Sequence, residues 1–294
     1  MKRTDKISFY GFLNVDKPSG LTSSVVVNKC KWLSGVPCGH MGTLDPLASG
    51  VLPVGLGNAT RLFDYFLEKD KEYIAEFTFG VTSDTLDSTG MLTYDGDVPS
   101  EKEIAGVLSS LTGEVMQIPP KYSAKNINGR RGYDLARAGV EFELPPKKVR
   151  IDCIELVGKV EEKENTFAFK IRCGGGTYIR SIARDIGATL GTNAIMSALR
   201  RTQSGYFQLE NALPFSLLEQ DISAKELEKY IIPTERVLTY PSITLAGKTA
   251  ERVLNGLAVE TDEKDGLYKL YIEDTFYGLA QVTDGKVKAK TKLC

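Results

Sequence analysis

The stretch TFAFKIRCGGGTYIRSIARDIGATL, Thr166 to Leu190, changes its hydrophobic period part-way along. Phe167, Phe169 and Ile171 alternate with Ala168, Lys170 and Arg172, the period of two expected of a strand with one buried face. After Gly174–Gly176 and Thr177 the apolar positions become Ile179, Ile182, Ala183, Ile186 and Leu190, which form one stripe of a helix. A strand that feeds a helix through a glycine loop belongs to a sheet with helices packed on it. Arg180 falls at the edge of the stripe and Arg184 further into solvent. An arginine at that edge can aim across the end of the sheet.

The same two periods recur outward from this unit. KEYIAEFTFG (Lys71 to Gly80) places Tyr73, Ala75, Phe77 and Phe79 on one strand face, with Ile74, Glu76 and Thr78 on the other. Phe12 to Val15 reads as a short strand ending at the turn DKPSG. Thr22 or Ser23 caps a helix running to about Leu33. Leu52 to Gly57 reads as a buried strand and Asn58 to Leu67 as a helix. Ser100 with Glu103 forms a capping box before a helix that buries Ile104, Val107, Leu108 and Leu111 and stops at Gly113. Ser223 with Glu226 forms another. Around Ile232–Pro233 the pattern changes: GKTAERVLNG reads as a helix, then LYKLYIE, FYGLAQV and KVKAK as short strands. The expected class is α+β, with a small C-terminal β domain.

The chain has 294 residues, enough for a large domain and a small one. No apolar run is long enough to span a membrane. The start, MKRTDKISFYG, has no long apolar core, so a cytoplasmic location is expected. The five cysteines form no CxxC pair, and the spacing of Cys30, Cys38 and His40 does not suit a zinc site. No metal or other cofactor is expected. The net charge of −1 does not point to nucleic acid, but its distribution is uneven. Lys121 to Arg150 and Lys170 to Arg201 are both strongly basic, and such a face can bind phosphates.

GHMGTLDPLASG, from Gly39 to Gly50, holds one carboxylate, Asp45, and the only histidine of the chain, His40. Asp45 precedes Pro46 and is pushed toward extended geometry; the glycines permit tight turns. This acid could cap the turn, bind a metal, or act alone as nucleophile or base with charge supplied by a distant arginine. Arg180 is the candidate partner. The GGGT loop matches neither a Walker loop nor a dinucleotide fingerprint.

Taken together, several motifs resemble the tRNA pseudouridine synthases of the TruB type. GHMGTLDPLASGVLPVGLGNATR resembles the catalytic motif, GFLNVDKPSGLTS the N-terminal motif, and KEYIAEFTFGVTSDTLDSTG the tyrosine-bearing strand and loop. IPPKYSAKNINGRRGYDLARAG resembles the RNA-gripping insertion, CGGGTYIRSIARDIGATLG the arginine motif and LRRTQSG the closing motif. They follow the family order. The resemblance implies a mixed, mainly antiparallel sheet flanked by helices over residues 1–232, an insertion at 119–145, and a PUA-like RNA-binding domain at 233–294.

It also implies a reaction: a T-loop uridine at position 55 of tRNA is flipped out, cut from its ribose at N1 and rejoined at C5. Asp45 would be the catalytic aspartate, Tyr73 the tyrosine against the base and Arg180 the partner of the acid. His40 would hold the flipped conformation and Leu199 line the base pocket. Lys17 and Tyr178 would belong to the substrate site, Lys17 by supporting the active-site loop. Lys125, Arg130 and Arg131, with Tyr122, Tyr133 and Arg137, would contact RNA through phosphates and stacking. The expected partner is the T stem–loop of tRNA, bound by a monomer. Two other classes would leave different signs: an RNA-binding protein need not keep the acid, and a nucleoside or sugar hydrolase needs a second one.

Overall fold

The computed structural model describes residues 6–67, 69–122, 126–127, 130–131, 140, 142 and 144–293; at 67, 126–127 and 130–131 it describes the backbone alone. The alternating segments assemble into an 11-stranded sheet. Its central order runs Leu213–Pro214, Gly11–Lys17, Ser49–Leu56, Ala194–Ser204, Lys71–Phe79, Thr166–Cys173, Lys147–Lys159 and Gly113–Gln117. Along that path the pairings of Leu213–Pro214 with Gly11–Lys17 and of Ser49–Leu56 with Ala194–Ser204 are parallel and the others antiparallel. The fold is α+β with a mixed, mainly antiparallel sheet.

One face of the sheet is covered by the helices Ser23–Ser34 and Ile179–Thr189. Val26, Cys30 and Leu33 from the first, and Ile182, Ala183 and Ile186 from the second, join Leu13, Val15, Leu52, Phe77, Phe169 and Ile171 in one core. Phe77 and Phe169 meet diagonally across neighbouring strands, with ring centres 4.7 Å apart. Each such fully buried side chain stabilises the fold by about 1.5–3 kcal/mol. The opposite faces of the same strands differ along the sheet. Phe12, Val51 and Phe207 pack with Leu62 and Phe66 and with Leu279 and Leu293 of the C-terminal sheet. Further along, Glu72 and Glu76 face solvent and pair with Lys170 and Lys163.

The helix expected over Asn58–Leu67 is instead a 3-10 turn, Gly57–Leu62, followed by a short helix, Phe63–Leu67. Gly57 at φ 58° lets Tyr10 pack where a side chain would stand, and the tight turn aims Leu62 and Phe66 at Phe12 while Phe63 stays exposed. The Ser100–Glu103 capping box is complete. The one at Ser223 is half formed, because Glu226 turns to Lys229 instead. The Ile232–Pro233 strand is still bonded to Gly11–Lys17. A second, five-stranded sheet opens at Ser242–Leu245 and contains Gly266–Ile272, Thr275–Thr283 and Lys286–Lys292, so the seam lies between Pro233 and Ser242. Among the described residues, no helix is long and apolar enough to cross a membrane.

Candidate active site

The loop carrying Asp45 is held from below by the N-terminal turn. Ser23, almost fully buried, donates from Oγ to the Leu44 carbonyl at 2.8 Å and accepts the Leu44 N–H at 2.9 Å. Ser19 donates to Leu47 O at 2.7 Å and the Gly20 N–H to Pro46 O at 2.8 Å. Lys17, with no exposed surface, donates to the carbonyls of Pro18, Leu21 and Pro46 at 2.9, 2.7 and 3.4 Å. Burial lowers its pKa to about 8, against the Asp45 carboxylate, which raises it. Lys17 therefore lies under the loop, with no exposed surface. None of these contacts uses the Asp45 side chain.

Sheet register sets the next layer. Lys17 lies opposite Gly50, Gly50 opposite Arg201, Arg201 opposite Tyr73, and Tyr73 opposite Ile171. Directly opposed residues point to the same face, so Lys17, Arg201 and Tyr73 form one line across the sheet floor. Gly50, at φ 99°, is the required gap: a Cβ there would stand 2.2 Å from the Arg201 carbonyl oxygen. Arg201 is 1% exposed. Its guanidinium donates to Val51 O at 2.7 Å, Gly42 O at 3.0 Å and Thr43 O at 3.5 Å, clasping both ends of the Asp45 loop. Tyr73 is buried beside it, and burial pushes its phenol pKa up to about 12, so it stays neutral at ordinary pH.

Arg180 enters from the other side, on the first turn of the Ile179–Thr189 helix. Its Nη2 lies 3.0 Å from Asp45 Oδ2, and its Nη1 lies 3.3 Å from Asp87 Oδ2. The same two nitrogens donate to Tyr122 O and Thr85 O at 3.0 Å. Asp87 is buried, and its other oxygen accepts from Thr85 and Thr89. The Asp45 side chain, by contrast, is 38% exposed. One arginine thus joins a locked carboxylate to an accessible one.

Three family profiles match in succession. TruB family pseudouridylate synthase, N-terminal domain, covers residues 31–179; the tRNA pseudouridylate synthase B C-terminal domain covers 180–239; the pseudouridine synthase II TruB C-terminal unit covers 241–291. The chain is 38% identical to tRNA pseudouridine synthase B of Clostridium kluyveri over 95% of its own length and 97% of the relative's. It is 40% identical to the Bacillus subtilis enzyme of the same name, over 86% and 84%. The chain belongs to the TruB family of pseudouridylate synthases.

As a TruB-family protein it is an isomerase that converts uridine to pseudouridine. The fold likeness extends further: a chain of a solved Cbf5–Nop10–Gar1 complex superposes with a TM-score of 0.71 at 28% identity, covering 97% of this chain and 85% of that one. Within this TruB fold, Leu199 is buried opposite Ala75, on the face that carries Tyr73 and Arg201. His40 ends the short Cys38–His40 strand, half-buried. Burial and then the Arg201 charge lower its pKa, so it is a neutral imidazole at pH 7; among the described residues its buried Nδ1 has no hydrogen-bond partner. Tyr178 precedes the helix, and Gln117 holds both its N–H and its carbonyl, at 2.8 and 3.1 Å. Ser181 and Arg184 hold the Ile118 carbonyl, so the start of the 119–145 segment is stitched to the Arg180 helix.

Lys125, Tyr133 and Arg137 lie outside the described residues. Arg130–Arg131 is a two-residue strand paired with Asn126–Ile127, and the side chains there are outside the description too. Among the described residues, no group of three or more His, Cys, Asp or Glu side chains is placed to hold a metal.

Two residues of the site were not singled out from the sequence. Asp87 stands in TLDSTG with hydroxyls on both sides, a signal of a carboxylate held by its own loop. Arg201 stands in LRRTQSG, where alternation along the strand puts it on the buried face. Arg201→Met should lower the free energy of unfolding by about 3 kcal/mol, since it strands buried carbonyls that now accept from a charged donor. A urea titration that leaves stability unchanged would show that the clasp does not hold the loop.

Proposed function

We propose that this TruB-family enzyme isomerises the T-loop uridine at position 55 of tRNA, with Asp45 as its one catalytic carboxylate. The observation that carries the reading is the Asp45–Arg180–Asp87 arrangement: of two acids on one arginine, Asp45 alone is accessible. Cleavage of the N1–C1′ bond creates positive character at C1′, which a carboxylate stabilises, as in retaining glycosidases. A glycosidase needs a second acid to protonate a departing alcohol. A uracil anion leaves without that proton, turns, and bonds C1′ through C5; the C5 proton is then lost and N1 regains one. Three entries fit the carboxylate: attack at C1′, addition to the base, or removal of a ribose proton.

Asp87 does not supply the hydrolase's second acid, because both its oxygens are engaged inside the protein. In this reading Tyr73 lies against the flipped base as a neutral phenol, Leu199 lines the base pocket, and His40 and Tyr178 hold the flipped nucleotide. Residues 119–145, with Lys125, Arg130 and Arg131, grip the loop. The C-terminal unit adds RNA contact, and the enzyme works as a monomer on the T stem–loop. The test is to incubate the protein with an unmodified tRNA transcript and map pseudouridine by position. A single new pseudouridine in the T loop is expected. Modification elsewhere alone would overturn the choice of site, and release of free uracil would make the protein a hydrolase.

A further inference from the structure

The strand Gly113–Gln117 forms one end of the large sheet, and its last residue is a buried glutamine, 2% exposed. The strand runs antiparallel to Lys147–Lys159, with Gln117 opposite Lys147. An enclosed amide has to find partners for both its N–H and its oxygen. Both partners of Gln117 belong to one residue of another element. Its Oε1 accepts the Tyr178 N–H at 2.8 Å, and its Nε2 donates to the Tyr178 carbonyl at 3.1 Å. The side chain thus pairs with a backbone residue as a neighbouring strand would.

That residue is where the Arg180 helix begins. The three glycines before it leave the direction of entry open, and Gly176 sits at φ 80°. The loop is tied at its start, where the Gly174 N–H donates to Arg150 O at 2.9 Å and Thr177 Oγ1 to Gly174 O at 3.0 Å. The helix itself has no side-chain cap and no acidic residue in its first turn. The Tyr178 carbonyl accepts the N–H groups of Ser181 and Ile182 at 3.1 and 3.2 Å, the first bonds of the helix. Gln117 therefore holds the residue from which the first turn is built. Arg180 stands two residues on, with Nη2 3.0 Å from Asp45 Oδ2. A shift of the first turn carries that guanidinium with it, and a misplacement of about 1 Å can cost on the order of 10²-fold in rate.

The continuation of the strand meets the same turns. Ile118 O accepts from Ser181 Oγ at 2.9 Å and from Arg184 Nη2 at 3.1 Å, and Arg180 Nη2 donates to Tyr122 O at 3.0 Å. Those contacts run through side chains of the helix, whereas Gln117 grips its backbone. The residue type matters. Methionine has a similar size and offers neither bond. Asparagine falls one methylene short, and an ionised glutamate has no donor for the carbonyl.

We propose that Gln117 is a positioning residue for pseudouridine formation: it sets the first turn of the Ile179–Thr189 helix so that Arg180 meets Asp45. The proposal rests on the reading of Asp45 and Arg180 above. The test is the full chain with Gln117→Met, alone and in an Arg180→Ala, Asp87→Asn background that lacks both the guanidinium and the acid it would strand. Single-turnover pseudouridine formation and filter binding of the same tRNA transcript are read together. Alone, Gln117→Met should slow the reaction about 30-fold and change the tRNA Kd by less than about threefold. In the background it should slow the reaction by less than about threefold further, because the group it aims is gone. Gln117→Asn should be slow as well. As a control, Thr166→Val removes the 2.9 Å hydroxyl contact with Thr78, at the other end of the Thr166–Cys173 strand from the glycine loop. It should lose stability and keep the parent rate. Parent-like turnover in Gln117→Met or Gln117→Asn, an undiminished loss in the background, or an equal loss in Thr166→Val would overturn the proposal. Parent-like turnover in the background itself would remove Arg180 from the reaction, and the proposal with it.

Discussion

Asp45→Asn should slow pseudouridine formation in tRNA by at least about 10⁴-fold while changing tRNA affinity by less than about threefold. Asparagine matches the shape of aspartate, so the turn before Pro46 is kept. The contacts that hold this loop come from Lys17, Ser19, Ser23 and Arg201, and all of them are to backbone groups. What is lost is the negative charge that would face C1′ as the glycosidic bond opens. No neighbouring group replaces it: Asp87 is buried and bound by Thr85, Thr89 and Arg180. Release of tritium from C5 of the target uridine, under single turnover with enzyme in excess, measures the step. Filter binding of the same tRNA measures affinity. Undiminished release would remove Asp45 from the chemistry.

Arg180→Ala should cost both stability and rate, for separable reasons. Its side chain is 9% exposed and that of Asp87 7% exposed, so the variant strands a buried carboxylate. The expected loss in unfolding free energy is about 3–5 kcal/mol. The pair with Asp45 adds little to stability, because that side chain is 38% exposed and screened by solvent. Its effect is on rate: without the guanidinium the Asp45 carboxylate is no longer aimed, and turnover should fall by about 10²–10³ with tRNA affinity nearly kept. Adding Asp87→Asn should return much of the stability and little of the turnover. Arg180→Lys should also be slow, since one ammonium cannot span two carboxylates and two carbonyls. If Arg180→Ala turns over as fast as the parent, the arginine has no part in the reaction.

Much of this was legible in the chain because local periodicity reports local burial. The alternation in Lys71–Phe79 and Thr166–Cys173, the stripe from Ile179 and the Ser100–Glu103 box each depend on a few neighbouring residues. The exceptions also have local causes that tertiary contact overrides. The segment after Gly57 has a helical pattern, yet it winds as a 3-10 turn because Leu62 and Phe66 must reach Phe12. Cys30, Cys38 and His40 are near in sequence, but Cys30 is buried in the core on the Ser23–Ser34 helix while His40 ends the Cys38–His40 strand beside the Arg201 charge.

By itself the sequence determined the α+β class, the placement of Asp45 on a glycine-rich turn and the presence of Arg180 at the start of a helix. Those features need only backbone preferences and the hydrophobic period. Tertiary structure alone decided that Arg180 would hold two carboxylates, that Arg201 would clasp the Asp45 loop from beneath, and that Tyr65 would meet Thr291 of the last strand. Each of these joins residues far apart in the chain, through strand register and the packing of one sheet against another. Register is a property of paired strands, set by which faces can be buried together, and no single segment contains it.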